Sequence, residues 1–167
     1  MKEVTIMKTV QLAALYFICL LGILPVAVSA QPYVISTDGT EVTDQKTGLI
    51  WQRCPEGMVF GGGTCTGTTA LTYTHEAALQ RAAAVTSLTA AWRLPSVKEL
   101  SSIADKTLSN PAIDPAAFPA TPASFFWSSS PYVGLPAYAW GVYFYYGHVS
   151  GYVRSSTYYV RLVRAGQ

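Results

Sequence analysis

Residues 138–164 read YAWGVYFYYGHVSGYVRSSTYYVRLVR, and their pattern determines the fold class. Trp140, Val142 and Phe144 occupy every second position, and the residues between them are glycine and tyrosine. This period of two predicts a β-strand that buries one face and presents tyrosine on the other. Glycine and serine turns separate candidate strands at 138–145, 149–153 and 158–164, so we expect an antiparallel sheet.

The residues before this stretch add one more strand and two helices. Residues 125–128 predict a strand, while four prolines between 110 and 122 predict an extended connector. Ser96 and Glu99 form a capping box that begins a helix, and Thr74 can cap an earlier one. Residues 39–54 predict a β-hairpin with Gly48 in its turn. The fold class is therefore α+β.

The first thirty residues have the composition of a secretory signal. Lys2 and Lys8 precede an uncharged apolar run from 12 to 28, which ends in small residues up to Ala30. We expect a signal peptide at 1–30, an exported protein, and one domain at 31–167 with no membrane span after cleavage. An uncleaved membrane anchor is the alternative.

Charge and cysteine content exclude several classes of protein. Residues 31–167 carry nine basic and eight acidic residues, so nothing resembles the basic stripe of a nucleic-acid binder. Cys19 lies within the expected signal peptide, so cleavage leaves Cys54 and Cys65 as an even pair in a chain expected to be exported. This predicts a disulfide in a peripheral loop. The two cysteines lack neighbouring ligands for a metal, and we expect no metal site and no cofactor.

Enzymatic chemistry finds little support. His75 and His148 lie in no recognisable catalytic motif, and we expect His75 to be a capped surface residue. No Asp or Glu follows Asp114, so paired carboxylates are missing from the C-terminal part. Arg93 and Arg161 stand in apolar surroundings, where each requires a carboxylate or several carbonyls. We therefore expect no enzyme.

Eight of the eleven tyrosines fall between Tyr132 and Tyr159, mixed with serine and glycine. This mixture is typical of binding loops, although a tyrosine-rich sheet with no ligand is the plainer interpretation. The alternation of the strand predicts that the tyrosines share one exposed surface. The candidate ligand-binding residues are Tyr143, Tyr145, Tyr146, His148, Ser150, Tyr152, Arg154, Ser155, Ser156 and Tyr158.

The same alternation and the helical spacings predict which large side chains are buried. The expected core consists of Trp51, Trp92, Leu94, Leu100, Ile103, Phe126, Trp127, Trp140, Val142, Phe144, Val160 and Leu162.

Several motifs together resemble a known family. They are TDQKTGLIWQRC, the ten-residue loop between the cysteines, WRLPSVKELSSIAD, YAWGVYF and the terminal YVRLVRAGQ. They resemble DUF1566, also called the C-terminal domain family of the Legionella collagen-like protein. The resemblance implies a C-type lectin-like fold, with two helices packed on a twisted antiparallel sheet and the two chain ends paired.

The resemblance also implies a function. Family members are exported bacterial proteins associated with adhesion, including binding to sulfated polysaccharide. We therefore expect a non-enzymatic domain that recognises a protein or glycan ligand. The alternative is a cell-envelope structural or assembly domain with a fixed protein partner, and an oxidase of the same broad fold is a third possibility.

Related domains are variable proteins of diversity-generating retroelements, which mutate adenines in Asn codons. Mutation of AAC codons cannot produce Lys, Glu, Gln, Met or Trp, and residues 143–159 contain none of these. This composition fits diversification, and ordinary drift in an exposed sheet explains it equally well.

Overall fold

The structure is a computed structural model that describes residues 32–85 and 90–166. Residues 31–167 group as one compact unit, and the expected signal peptide lies outside the described residues. Among the described residues, no helix has the length and apolar character needed to cross a membrane.

The first sheet is antiparallel and contains both ends of the described chain. Its strand order is β1-β2-β3-β11. The first and last strands are therefore its two edges and are not hydrogen-bonded to each other, which corrects the expectation that the chain ends pair directly. The strands are β1 (Tyr33–Ile35), β2 (Glu41–Asp44), β3 (Leu49–Gln52) and β11 (Val163–Ala165).

The second sheet carries the tyrosine-rich segment and has the order β6-β10-β7-β8-β9. All its neighbours are antiparallel except β10 and β7, which are parallel and pair Tyr159 with Phe126. Its strands are β6 (Thr72–Tyr73), β7 (Phe125–Pro131), β8 (Tyr138–Tyr143), β9 (His148–Val153) and β10 (Tyr158–Tyr159).

Two helices complete the α+β fold, α1 (His75–Val85) and α2 (Val97–Ser102). The predicted capping box is confirmed: Ser96 Oγ accepts from the Glu99 N–H, and the Glu99 carboxylate accepts from the Ser96 N–H. The Glu99 carboxylate also accepts hydrogen bonds from both terminal nitrogens of Arg93, at 2.8 and 2.6 Å. The hydrogen bonds from Arg93 are the largest cause of the lowered pKa of Glu99, which is about 2. Burial acts in the opposite direction, and the hydrogen bonds with Ser96 lower the pKa further.

The second sheet is covered on both faces, which gives the domain two core clusters. Phe126 and Val142 pack with α2 and with Trp51 of the first sheet. On the opposite face, Phe125 and Trp127 pack with Ala78 and other residues of α1. Four consecutive residues of β7, Phe125 to Ser128, are therefore buried, because each of its faces meets its own layer.

Ten of the twelve predicted core residues are buried, and two tryptophans are not. Trp92 is half-buried beside Arg164, whose guanidinium carbon lies 5.4 Å from its ring centroid. Trp140 is also half-buried and stacks on Tyr132 at 4.2 Å. The predicted alternation of β8 is confirmed by the buried Val142. At Trp140, however, the same face is covered by the Tyr132 ring and not by a second layer of the fold.

Arg161 is fully buried without a carboxylate. Its guanidinium donates to the carbonyl oxygens of Gln52 and Arg53 and to Thr121 Oγ1. The expectation that several carbonyls could replace an acidic partner is thus confirmed for Arg161, and Arg93 has its carboxylate in Glu99. Burial, followed by the nearby charge of Arg53, lowers the pKa of Arg161 to about 9.

The disulfide joins Cys54 to Cys65 across a small hairpin of β4 (Met58–Gly61) and β5 (Thr64–Gly67). This confirms the predicted pair. Because the hairpin is a separate two-stranded sheet, neither core cluster includes it.

Reduction of the Cys54–Cys65 bond is expected to lower the free energy of unfolding by about 3 kcal/mol, the entropy of closing a short loop. The domain should stay folded at room temperature because both core clusters remain intact. Urea unfolding with and without reductant measures the difference. Complete unfolding on reduction would show that the hairpin supports the core.

Candidate binding face

The tyrosines of β8 and the following turn form a cluster of rings. Tyr143 lies 6.0 Å from Tyr145 and 5.5 Å from His148, measured between ring centroids. Tyr146 lies 4.5 Å from Tyr145 and 6.3 Å from His148. These four side chains therefore form one continuous aromatic group at the turn between β8 and β9.

A second group of rings lies further along the same sheet. Tyr152 and Tyr158 are 5.0 Å apart, and both contact Phe125, at 4.5 and 4.8 Å. Tyr158 also meets Trp127 at 5.2 Å. Phe125 pairs with Tyr143 in the adjacent strand, so it connects the two groups. We call Tyr143, Tyr145, Tyr146, His148, Tyr152 and Tyr158 together the tyrosine face.

Strand register explains why these side chains point the same way. Tyr143 pairs with His148, and Ala139 pairs with Tyr152, so alternate residues of β8 and β9 share a face. Between them, Gly141 pairs with the half-buried Ser150. A methyl group at Gly141 would lie 2.4 Å from Phe125 Cζ and 2.1 Å from Phe126 O, so the glycine makes room for the Phe125 ring.

Exposure varies across the tyrosine face. Tyr146 is 59% exposed, Tyr152 is 36% exposed and His148 is exposed. Tyr143, Tyr145 and Tyr158 are half-buried, so the expectation of a uniformly exposed surface is wrong for these three. The three half-buried rings pack beneath the exposed rings of Tyr146, Tyr152 and His148, which provide most of the accessible contact area.

Tyr158 shows the electrostatic consequence of this partial burial. Burial, and then proximity to Tyr152, raises the pKa of Tyr158, and a hydrogen bond with Ser156 acts in the opposite direction. The Tyr158 phenol therefore stays neutral at physiological pH and can both donate and accept a hydrogen bond.

The remaining predicted site residues lie beside the start of α1. The Arg154 N–H donates to Ala137 O, and its Nε donates to Tyr138 O at 3.0 Å. Arg154 and the exposed Ser155 line a cleft of about 460 Å³ together with Thr74, His75 and two other residues of α1. The structure thus places Arg154 at a cleft and not among the rings of the tyrosine face.

His75 is buried, so its expected position on the surface is wrong. Its ring contacts Trp127 edge to face at 5.2 Å, and Nε2 lies 3.0 Å from Ser128 O. Burial is the largest cause of the lowered pKa of His75, and the charge of Arg154 lowers it further. His75 is therefore neutral near pH 7 and forms an uncharged wall of the cleft.

Two contributors to the site had no signal as such in the sequence. Trp127 was predicted only as a core residue, and Phe125 only as part of a strand, yet they support Tyr152 and Tyr158. The apolar run FFW at 125–127, with no polar alternation, indicated a strand covered on both faces. Across residues 32–85 and 90–166, no group of three or more His, Cys, Asp or Glu side chains could hold a metal ion.

One family model matches the chain, the Lcl C-terminal domain, over residues 40–164. No curated protein and no solved structure matches it significantly. The matched region contains both helices, both cysteines and the whole tyrosine face, and it covers well over half of the chain. The chain therefore belongs to the Lcl C-terminal domain family.

Proposed function

We propose that this protein is an exported, non-enzymatic recognition domain that binds a protein or glycan ligand through the tyrosine face. The observation that carries the proposal is a pair of aromatic groups on one side of β8, β9 and β10. Phe125 joins them, because its ring contacts Tyr152 and Tyr158 and its backbone pairs with Tyr143. Aromatic patches that remain accessible on a folded domain mark binding sites more often than isolated rings do.

The partial burial of the tyrosine face favours binding. Tyrosine presents a large amphipathic ring with two rotatable bonds, so little entropy is lost when a ligand orders it. Tyr143 and Tyr158 are already held by their neighbours, which lowers that loss further. The exposed rings of Tyr146 and His148 are then presented on a rigid base.

Charge limits the class of ligand. No carboxylate occurs after Asp114, while Arg154 lies at the cleft beside α1. An acidic or sulfated ligand, such as a sulfated polysaccharide, therefore meets no repulsion from this part of the chain. A strongly basic partner would find no carboxylate within the tyrosine face, and Glu76 is the one carboxylate among the residues that line the cleft with Arg154.

The lectin-like and retroelement interpretations belong to the same proposal. A C-type lectin-like fold agrees with two helices packed on antiparallel sheets and with terminal strands in one sheet. Diversification agrees with the composition of residues 143–159, which include the whole tyrosine face. A reverse-transcriptase gene and an imperfect repeat of the 3′ coding end in the neighbouring DNA would support it.

The combined substitution Tyr146→Ser and His148→Ser tests the proposed function. We expect the double variant to lose binding to every ligand that the wild-type protein recognises on an array of sulfated polysaccharides, neutral polysaccharides and extracellular proteins. The melting temperature should hardly change, because both side chains are exposed. The matched control is Leu108→Ser with Val133→Ser, two exposed apolar residues outside the tyrosine face. Equal binding by the double variant and the wild-type protein would refute the proposal.

A further inference from the structure

Strand β9 is the outer strand of the five-stranded sheet. Within residues 32–85 and 90–166, it pairs only with β8. The Arg154 N–H donates to Ala137 O, so the backbone groups of Arg154 point toward β8. Because this direction alternates along a strand, the backbone groups of Tyr152, Ser150 and His148 point toward β8 as well. The backbone groups of Val149, Gly151 and Val153 consequently point to the open side. Of these, the Val153 carbonyl also accepts the Ser156 N–H at 3.0 Å.

This open edge lacks the features by which proteins usually protect one. β9 contains no lysine, proline or carboxylate, and its six pairs with β8 run without a bulge. Val149 and Val153 are 43% and 36% exposed on one face of the strand, and Tyr152 is exposed on the other. Such an edge can accept a further strand.

Charge along the edge determines which strand fits. Residues 138–153 contain no Asp, Glu, Lys or Arg, so a charged segment would be desolvated here without a partner. A second copy of β9 is uncharged in the same way and alternates valine with polar or aromatic residues. It therefore complements the edge in both polarity and period.

We propose that the protein forms a symmetric dimer in which β9 pairs antiparallel with β9 of a second copy, with Gly151 opposite Gly151. This register uses the outward N–H and carbonyl groups of Val149 and Gly151 and the N–H of Val153. The Val153 carbonyl, which already accepts the Ser156 N–H, would use its second lone pair. It places Val149 opposite Val153 of the second copy on one face. On the other face it places Ser150 opposite Tyr152.

Tyr132 extends this contact on the face opposite the tyrosine face. A methyl group at Gly151 would lie 2.5 Å from Tyr132 Cδ2, so the Tyr132 ring lies directly over this glycine. Directly opposed, hydrogen-bonded residues have Cα atoms about 5.5 Å apart. The two Tyr132 rings therefore approach each other across the two-fold axis, at the separation usual for aromatic pairs.

The dimer would place two tyrosine faces together, although the dimer proposal does not depend on ligand binding by those faces. A two-fold axis through an antiparallel strand pair runs perpendicular to the sheet, so the two tyrosine faces lie on the same side. A ligand with repeated epitopes could then engage both copies, and avidity would exceed the affinity of one site.

Sedimentation equilibrium of the purified full-length chain tests the dimer, with Val149→Pro as the variant and Val149→Thr as its matched control. Proline removes one outward N–H, which an edge strand tolerates, whereas threonine keeps both the N–H and the branched side chain. We expect the wild-type protein and Val149→Thr to dimerise, and Val149→Pro to dimerise at least about ten-fold more weakly. A monomeric wild-type protein, or equal dimerisation by Val149→Pro, would overturn the proposal.

A disulfide tests the register even if Val149→Pro does not fold. Chains carrying Ser150→Cys should crosslink to chains carrying Tyr152→Cys under air, because these positions oppose each other across the axis. Chains carrying Ser150→Cys alone should not crosslink to one another. The reverse pattern would contradict the proposed register. The single variant Tyr146→Ser, which lies outside β9, should dimerise normally, which separates failure of the dimer from failure of the binding face.

Discussion

Replacing Trp127 with alanine is expected to lower the free energy of unfolding by about 3–5 kcal/mol, the usual cost of removing a fully buried tryptophan. Trp127 is completely buried, and its Nε1 donates to Tyr73 O at 2.8 Å. Its ring also supports His75 and Tyr158. The substitution therefore leaves a cavity and an unpaired carbonyl between α1 and the sheet. Urea unfolding measures the loss.

Trp140→Ala is the matched control for this experiment. Trp140 is half-buried and stacks on Tyr132 near the surface, so a smaller loss is expected. If both substitutions cost the same, the two faces of the five-stranded sheet would contribute equally to stability at these positions, contrary to the burial of Trp127 and the partial exposure of Trp140.

Replacing Arg161 with alanine is expected to destabilise the protein by about 3–5 kcal/mol, because the loss leaves both a cavity and unpaired acceptors. The guanidinium joins the β3 end at Gln52 to Thr121 in the proline-rich segment. It also lies 4.9 Å from the centroid of the Phe118 ring. Alanine would disconnect these three parts of the core.

Arg161→Met separates the two causes. Methionine fills much of the volume but cannot donate, so its cost should lie between zero and that of alanine. Urea unfolding of both variants gives the comparison. A methionine variant more stable than the wild-type protein would mean that the desolvation of the buried charge outweighs its hydrogen bonds.

Features that depend on near neighbours in the chain could be predicted from the sequence. The capping box at Ser96 needs only a residue three positions away, and the phase of β8 follows from the alternation at Val142 and Phe144. The disulfide needed only the two cysteines that remain once the expected signal peptide, which contains Cys19, is removed. These features rest on short-range geometry, which sequence spacing records directly.

Features that depend on distant neighbours could not be predicted. Tyr158 is half-buried because β10 inserts between β6 and β7, and no local pattern specifies that order. His75 is buried because Trp127, more than fifty residues away, covers its ring. Arg154 lines the cleft beside α1 while its Nε bonds to Tyr138 O in the neighbouring strand. Each of these outcomes depends on strand order, whereas alternation records only which residues share a face.

Hydroxyl-radical footprinting of Tyr146, with and without a ligand identified on the array, measures whether a ligand contacts the tyrosine face. Tyr146 is the most exposed tyrosine of the face, while Leu71, at 48% exposure on another part of the domain, serves as the internal control. We predict that saturating ligand reduces the labelling of Tyr146 and leaves that of Leu71 unchanged. Unchanged labelling of Tyr146 in the presence of bound ligand would contradict the account.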